Sequence, residues 1–284
     1  MKPTLGFIGL GLMGAPMAAR LLNAGYTVHI HNRTKEKAAS LISRGAVWQE
    51  SPADAARHAE IVLTMLTNDA ALDETAAQIQ TSLRKNGIHI DCSTVSPALT
   101  SRLEREYSAR GGGFLHCPVL GGPSQASEGS LLLFAGGNDE TFSKAKEVLD
   151  ILGSKLWRFP KADQATNTKI IMNSFIAGMA ATLSQAMVYA SKAGIDNSTI
   201  LDILAGSALN APTFQVKGKQ IIDRAFAPRF FAENLLKDTN LMIDHAALLG
   251  AQVPVAHTVR EMLERTITMG AAKEDYIAMI KSIE

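Results

Sequence analysis

The chain has 284 residues, 46% of them apolar and 19% charged, with a formal net charge of +1. That length supplies two globular cores, and the near-neutral balance gives no reason to expect nucleic acid or an anionic membrane as partner. The only two cysteines, Cys92 and Cys117, suit small buried residues in a reducing, cytoplasmic setting; they make no disulfide framework, and no Cys/His cluster has metal-ligand spacing, so no metal is expected.

Residues 5–8 form a short apolar run, long enough for a buried strand, and lead straight into Gly9-Leu10-Gly11-Leu12-Met13-Gly14. Met13, Met17 and Leu21 then recur with a helical period until Gly25, and Pro16 sits in the first helical turn, where its missing N–H costs nothing. Strand, G-x-G-x-x-G and helix together make a dinucleotide-binding signal. Gly9 allows the tight turn, Gly11 lets backbone approach a pyrophosphate, and Gly14 lets the helix lie close on the strand. The helix N-terminus offers free N–H groups to the anion, and Leu12 and Met13 complete the set of loop contacts.

Strand and helix signals alternate from there. Strands are expected at residues 27–31, 61–66, 88–91, 114–119, 131–135 and 156–159. Helices are expected at 52–59 behind a Ser51 cap, at 69–83, after Ser96-Pro97, and at 139–152. Such alternation implies a largely parallel sheet covered on both faces, an α/β fold with a Rossmann-like doubly wound sheet. The strand signal ends after Pro160. One long helix is expected at 167–192, stopped by Gly194, with others opening at Asn197 and covering 214–224, 232–249 and 255–269. The expected domains are therefore residues 1–162, for the dinucleotide, and an all-helical 163–284, for substrate and oligomerisation. Residues 170–190 are apolar enough to span a bilayer, but Lys169, Asn173, Ser174, Ser184 and Gln185 favour a helix buried in protein. Arg20 and Arg44 read as surface charges.

The end of the second strand decides between the two nicotinamide dinucleotides. An acidic residue there would accept from the ribose 2′-hydroxyl of NAD. This chain instead has Asn32-Arg33-Thr34. A guanidinium pairs two phosphate oxygens at once, with Asn32 and Thr34 adding neutral hydrogen bonds, so NADP(H) is preferred and NAD(H) possible.

Four blocks make the chain similar to the β-hydroxyacid dehydrogenases, the group that includes 3-hydroxyisobutyrate dehydrogenase, tartronate semialdehyde reductase and succinic semialdehyde reductases. They are Gly9-x-Gly11-x-Met13-Gly14-x-x-Met17-Ala18; Asp91-Cys92-Ser93-Thr94-Val95-Ser96-Pro97; Pro118-Val119-Leu120-Gly121-Gly122 with Ala126 and Gly129; and Lys169-x-x-x-Asn173 with the later Leu236-Lys237-Asp238. The resemblance implies that Lys169 is general acid in reduction and general base in oxidation, with Asn173 holding substrate or orienting the amine. It also places Leu66, Thr67, Thr94 and Lys237 on the cofactor, and Ser93, Leu120, Gly121, Gly122, Lys169 and Asn173 on the substrate. Lys169 and Asn173 are one helical turn apart, so they share a face. A buried ammonium holds its proton less tightly and can pass it to a carbonyl oxygen. Gly121 and Gly122 would offer bare N–H groups to a carboxylate.

The chain departs from the family at three places. Leu120 replaces the usual serine, His116 the usual aspartate, and Asp163-Gln164-Ala165 the usual G-x-G. The expected partner is a small aldehyde- or hydroxy-carboxylic acid, and the expected assembly a homodimer or homotetramer. An imine reductase or reductive aminase is the alternative enzyme, although those relatives generally lack this lysine. A dinucleotide-binding module without catalysis is the remaining alternative.

Overall fold

The computed structural model describes residues 2–284, and its contacts separate a first unit ending at Lys169 from a second, Ile170–Glu284. In the first, β1 (Leu5–Ile8) leads through the glycine turn into α1 (Gly14–Asn23) and β2 (Val28–His31). A 3₁₀ turn (Lys35–Ala38), α2 (Ala39–Ile42), β3 (Val47–Trp48), α3 (Pro52–Arg57), β4 (Ile61–Thr64), α4 (Asp69–Ser82) and β5 (Ile88–Asp91) follow. Then come α5 (Pro97–Ala109), β6 (Gly113–His116), β7 (Val119–Leu120), α6 (Pro123–Glu128), β8 (Leu131–Gly136), α7 (Asp139–Leu152) and β9 (Gly153–Phe159).

The strands stand in the order β3-β2-β1-β4-β5-β6-β8-β7, with β9 beside β8. From β3 to β6 every pairing is parallel. This is the doubly wound arrangement, and the direction of winding reverses between β1 and β4, which opens a crevice at their carboxyl ends. Both faces of the sheet are buried because neighbouring residues of a strand point to opposite sides. Leu5, Phe7 and Leu63 join Met17, Leu21 and Val148 in one core, while Ile8 and Val62 join Leu72, Ile79 and Tyr107 in the other. Local chemistry fixes the helix starts: Ser51, Asn68, Ser96 and Asn138 each accept a backbone N–H from the first turn of the helix they cap.

The helix α8 (Ala162–Lys192) runs out of this unit into the second, which continues with α9 (Asn197–Ala205), α10 (Pro212–Ile222), α11 (Ala232–Leu249), α12 (Pro254–Thr268) and a closing 3₁₀ segment, Tyr276–Ser282. Leu183, Met187, Leu235, Leu263, Ile277 and Met279 form its core.

Several elements differ from the sequence reading. The strand expected at 114–119 is two strands, β6 and β7, since Pro118 cannot donate to the ladder and the chain reverses direction against β8. β8 is therefore antiparallel to both, within a sheet that is otherwise parallel, as the largely parallel expectation allows. Gly121-Gly122 leads into a short helix that was not expected, α6, with Pro123 in its first turn. Strand β3 was not expected; two residues are too few for a periodic signal. α8 begins at Ala162 rather than at 167, because Glu104 Oε2 accepts the Ala162 N–H at 3.2 Å and caps it from α5. The glycines usual before the lysine are thus not needed here. α8 is long and apolar enough to cross a membrane by composition, yet only 39% of its most apolar window is buried. Phe175 and Tyr189 are 60% and 75% exposed, so burial covers one face rather than the whole helix. Arg20 is half-buried, not a free surface charge: its Nε donates to the Ile151 carbonyl at 3.2 Å.

Candidate active site

The glycine turn has the shape a pyrophosphate needs. Gly9 sits at φ +97°, and a Cβ there would run into the Met65 carbonyl. Gly14 lies so close on Gly9 that any side chain would strike its carbonyl. Above Gly11, by contrast, a Cβ would meet nothing within 4 Å, and Leu12 beside it is 39% exposed, so the loop faces open space at the start of α1. Open room over exposed backbone at a helix N-terminus, beside the β1–β4 reversal, fits a dinucleotide.

At the end of β2 the three expected residues divide. Asn32 braces the turn: its Oδ1 accepts the Leu10 N–H at 2.9 Å, and its Nδ2 donates to the Thr34 carbonyl at 2.8 Å. Its amide is largely spent within the protein. Arg33 and Thr34 are exposed, and Arg33 has no ion-pair partner among the described residues. The neighbouring Lys35 is engaged by Glu50 at 3.1 Å and lies over the Trp48 ring at 5.0 Å.

The loops after β4 and β5 carry Leu66 with Thr67, and Ser93 with Thr94. Behind them lies a buried polar network. Asp91 Oδ1 accepts from Thr64 Oγ1 and from Ser93 Oγ, both at 2.7 Å, and Ser93 Oγ accepts the Leu66 N–H at 2.9 Å. Ser93 is wholly buried, with its hydroxyl engaged by Asp91 on one side and by the Leu66 N–H on the other. His89 lies 2.9 Å from Thr64 Oγ1 and 2.7 Å from the Tyr107 hydroxyl. Burial pushes the His89 pKa down to about 4, which keeps the ring neutral. His116 Nδ1 stands 3.0 Å from Asp91 Oδ2, although angled away from hydrogen-bond geometry. Burial opposes ionisation of Asp91, but the adjacent His116 and the donors around it hold the carboxyl below its usual range. An aspartate at 116 would put two buried carboxylates together and force one to keep its proton. Burial also pushes the Cys117 thiol up to about 12 and Cys92 well above its usual value, so neither is a nucleophile at neutral pH.

In the third block, Gly121 takes φ +144°, a conformation closed to other residues, and Leu120 is half-buried. The Gly122 N–H, expected to serve a carboxylate, donates instead to Gln125 Oε1 at 2.9 Å, because Gly122 is the N-cap of α6. Gln125, three residues on, thus supplies the return bond of a capping box, while Gly122 has no side chain to make the other half.

On α8, Lys169 and Asn173 are both buried, at 9% and 3% exposure, one turn apart. Asn173 Nδ2 donates to Asp238 Oδ2 at 2.5 Å, and Asp238 Oδ1 lies 2.7 Å from Lys237 Nζ. Asp238 is not among the expected site residues; the sequence signal for it is its place beside Lys237 in the fourth block. Asn173 Oδ1 is buried without a hydrogen-bond partner among the described residues. Asn173 and Asp238 line a mainly apolar cavity of about 230 Å³ with Thr239, Met242, Val255 and Val259.

Comparison with known proteins shows the family to which this fold belongs. Residues 4–166 match the model of the NAD-binding domain of 6-phosphogluconate dehydrogenase, and residues 164–283 match that of the NAD-binding region of NADP-dependent 3-hydroxyisobutyrate dehydrogenase. An oxidoreductase of Bacillus subtilis, YfjR, is 33% identical over 98% of both chains. The 2-hydroxy-3-oxopropionate reductase of Escherichia coli is 30% identical over 99% of this chain and 97% of its own. The chain belongs to the β-hydroxyacid dehydrogenase family. The crystal structure of a 3-hydroxyisobutyrate dehydrogenase from Salmonella typhimurium superposes with a TM-score of 0.91 at 26% identity, covering 99% of each chain. As a member of this family, the protein is an oxidoreductase acting on CH–OH donors with a nicotinamide dinucleotide as cofactor.

Proposed function

We propose that this β-hydroxyacid dehydrogenase reduces a small aldehyde- or keto-carboxylic acid to its hydroxy acid with NADPH, Lys169 supplying the proton. The observation that carries the reading is the buried pair Lys169 and Asn173 on one face of α8, with Asn173 anchored by Asp238. The bound dinucleotide supplies a hydride to the carbonyl carbon. The Lys169 ammonium gives its proton to the carbonyl oxygen as that carbon is reduced; the neutral amine is then reprotonated from water, and the same steps reversed make it a base in oxidation. Asn173 Oδ1, buried and still able to accept, holds the hydroxyl of the reacting carbon while Asp238 fixes the amide. Gly121 and the backbone around it are assigned the substrate carboxylate, with the Gly122 N–H withdrawn from that role.

Arg33 is assigned the 2′-phosphate of NADPH, supported by its exposure, its lack of an ion-pair partner among the described residues and the absence of a carboxylate in Asn32-Arg33-Thr34 at the end of β2. Leu66, Thr67, Thr94 and Lys237 complete the proposed cofactor contacts, and the division of labour is residues 1–162 for cofactor and 163–284 for substrate. A homodimer or homotetramer belongs to the same proposal. Phe175, Tyr189, Ile203, Leu248 and Val255 of the second unit are each at least 60% exposed, apolar side chains that a second subunit would cover. Sedimentation as a monomer at working concentration would contradict it.

The test is a spectrophotometric screen of NADPH oxidation with glyoxylate, succinic semialdehyde, tartronate semialdehyde, methylmalonate semialdehyde and similar short carbonyl acids. Turnover of at least one supports the reading. Turnover only of a ketone with ammonia, giving an amine, would replace it with a reductive amination.

A further inference from the structure

We infer that Asp91 is a positioning residue that holds the loops after β4 and β5 in the shape the nicotinamide end of the cofactor requires, with Ser93 as its strut. The inference rests on dinucleotide binding and on the assignment of those loops to it, not on the substrate or on Lys169. Asp91 ends β5, in register with Thr64 at the end of β4. An ionised carboxylate only accepts hydrogen bonds. Thr64 therefore donates its hydroxyl hydrogen to Asp91 Oδ1, at 2.7 Å. His89, 2.9 Å away on Nε2, must then donate to Thr64 Oγ1, which leaves its Nδ1 to accept from the Tyr107 hydroxyl at 2.7 Å. On the other side Ser93 donates to Asp91 at 2.7 Å and accepts the Leu66 N–H at 2.9 Å.

Every group in this chain of bonds has one role left to it, and the chain ends on backbone. Its last member is the N–H of Leu66, in the loop after β4, held by a side chain from the loop after β5. Leu66, Thr67 and Thr94 ride on those two loops; Leu66 and Thr94 are half-buried and Thr67 is exposed. Stability alone does not call for the arrangement: a fully buried carboxylate is costly to desolvate, and a well-packed apolar group of similar volume serves a core as well or better. What the carboxylate adds is direction. Two hydroxyls and the Ser93 N–H, the latter at 3.3 Å, converge on one oxygen and fix where each loop leaves its strand. His116 faces the other oxygen at 3.0 Å and favours the ionised form of Asp91. Ser93, counted among the substrate contacts on sequence grounds, is reassigned to this strut.

The full-length variants Asp91→Ala, Asp91→Asn and Ser93→Ala test it, with the NADPH dissociation constant read by fluorescence titration, steady-state KM and kcat, and a thermal melt for each. Asp91→Ala and Ser93→Ala are expected to weaken NADPH binding about tenfold while the KM of the carbonyl acid moves less than about twofold. Asp91→Asn is expected to recover most of the affinity, since its amide oxygen still accepts both hydroxyls. If Asp91→Ala does not fold, Ser93→Ala decides alone. A folded Ser93→Ala protein that binds NADPH as tightly as the parent overturns the inference, whether its melting temperature falls or not; so does one whose only change is a raised substrate KM. Because NADPH binding is read without turnover, absence of any reducible carbonyl acid would sink the proposed reaction and leave this test standing.

Discussion

Asn173 Nδ2 and Asp238 Oδ2 lie 2.5 Å apart, and neither residue is more than 3% exposed. The bond fixes which way the Asn173 amide points: its nitrogen is committed to the carboxylate, and its oxygen is left as the group a ligand can use. A charge-assisted bond of this kind is worth about 2 kcal/mol. Asn173→Ala should therefore lower the melting temperature measurably and cut kcat/KM by about a hundredfold through lost positioning. Asn173→Asp should do worse at neutral pH, where two carboxylates would face each other, and recover part of its activity as the pH falls and one of them takes a proton. A pH–rate profile for Asn173→Asp parallel to that of the parent would contradict the pairing.

Arg33 makes a separate prediction, on coenzyme choice. Arg33→Ala should raise the KM for NADPH by about ten- to a hundredfold, the loss of a bidentate phosphate contact, and leave the KM for NADH close to unchanged. Equal kcat/KM for the two coenzymes in the parent protein would remove Arg33 from the phosphate.

The buried His89 makes folding stability depend on pH. Its folded pKa is about 4 against an ordinary value of 6.5. Between those values the unfolded chain binds a proton that the folded protein refuses, so stability falls as pH drops from 6.5 toward 4, by a total of about 3 kcal/mol. Asp91 acts lower on the scale: its depressed folded pKa contributes stability that is present above the ordinary carboxylate range and is lost as pH falls through the folded value. Chemical denaturation at a series of pH values should give a slope of about one proton in the His89 window, and His89→Asn should flatten it. A parent curve that is level from neutral pH down to 4 would rule the assignment out.

The fold was legible in the sequence where periodicity was long and the punctuation chemical. β1, β5, α7 and α11 matched within a residue, because their apolar patterns are bounded by Gly, Pro or capping Ser and Asn. The pieces that escaped are short or set by tertiary contact: β3 has two residues, and the start of α8 depends on Glu104 reaching over from α5. The site divided in the same way. The glycine turn, Arg33 and the Lys169–Asn173 spacing are local patterns. The engagement of Ser93, Asn32 and the Gly122 N–H within the protein is not local, because each depends on which neighbour claims the hydrogen bond.

The measurement that bears most directly on the account is the turnover of Lys169→Ala with a reducible carbonyl acid, alongside its affinity for NADPH. Removal of the proposed proton donor should lower kcat by about a hundred- to ten-thousandfold with NADPH binding largely kept. A folded Lys169→Ala protein that reduces the same acid at the parental rate would contradict the central claim.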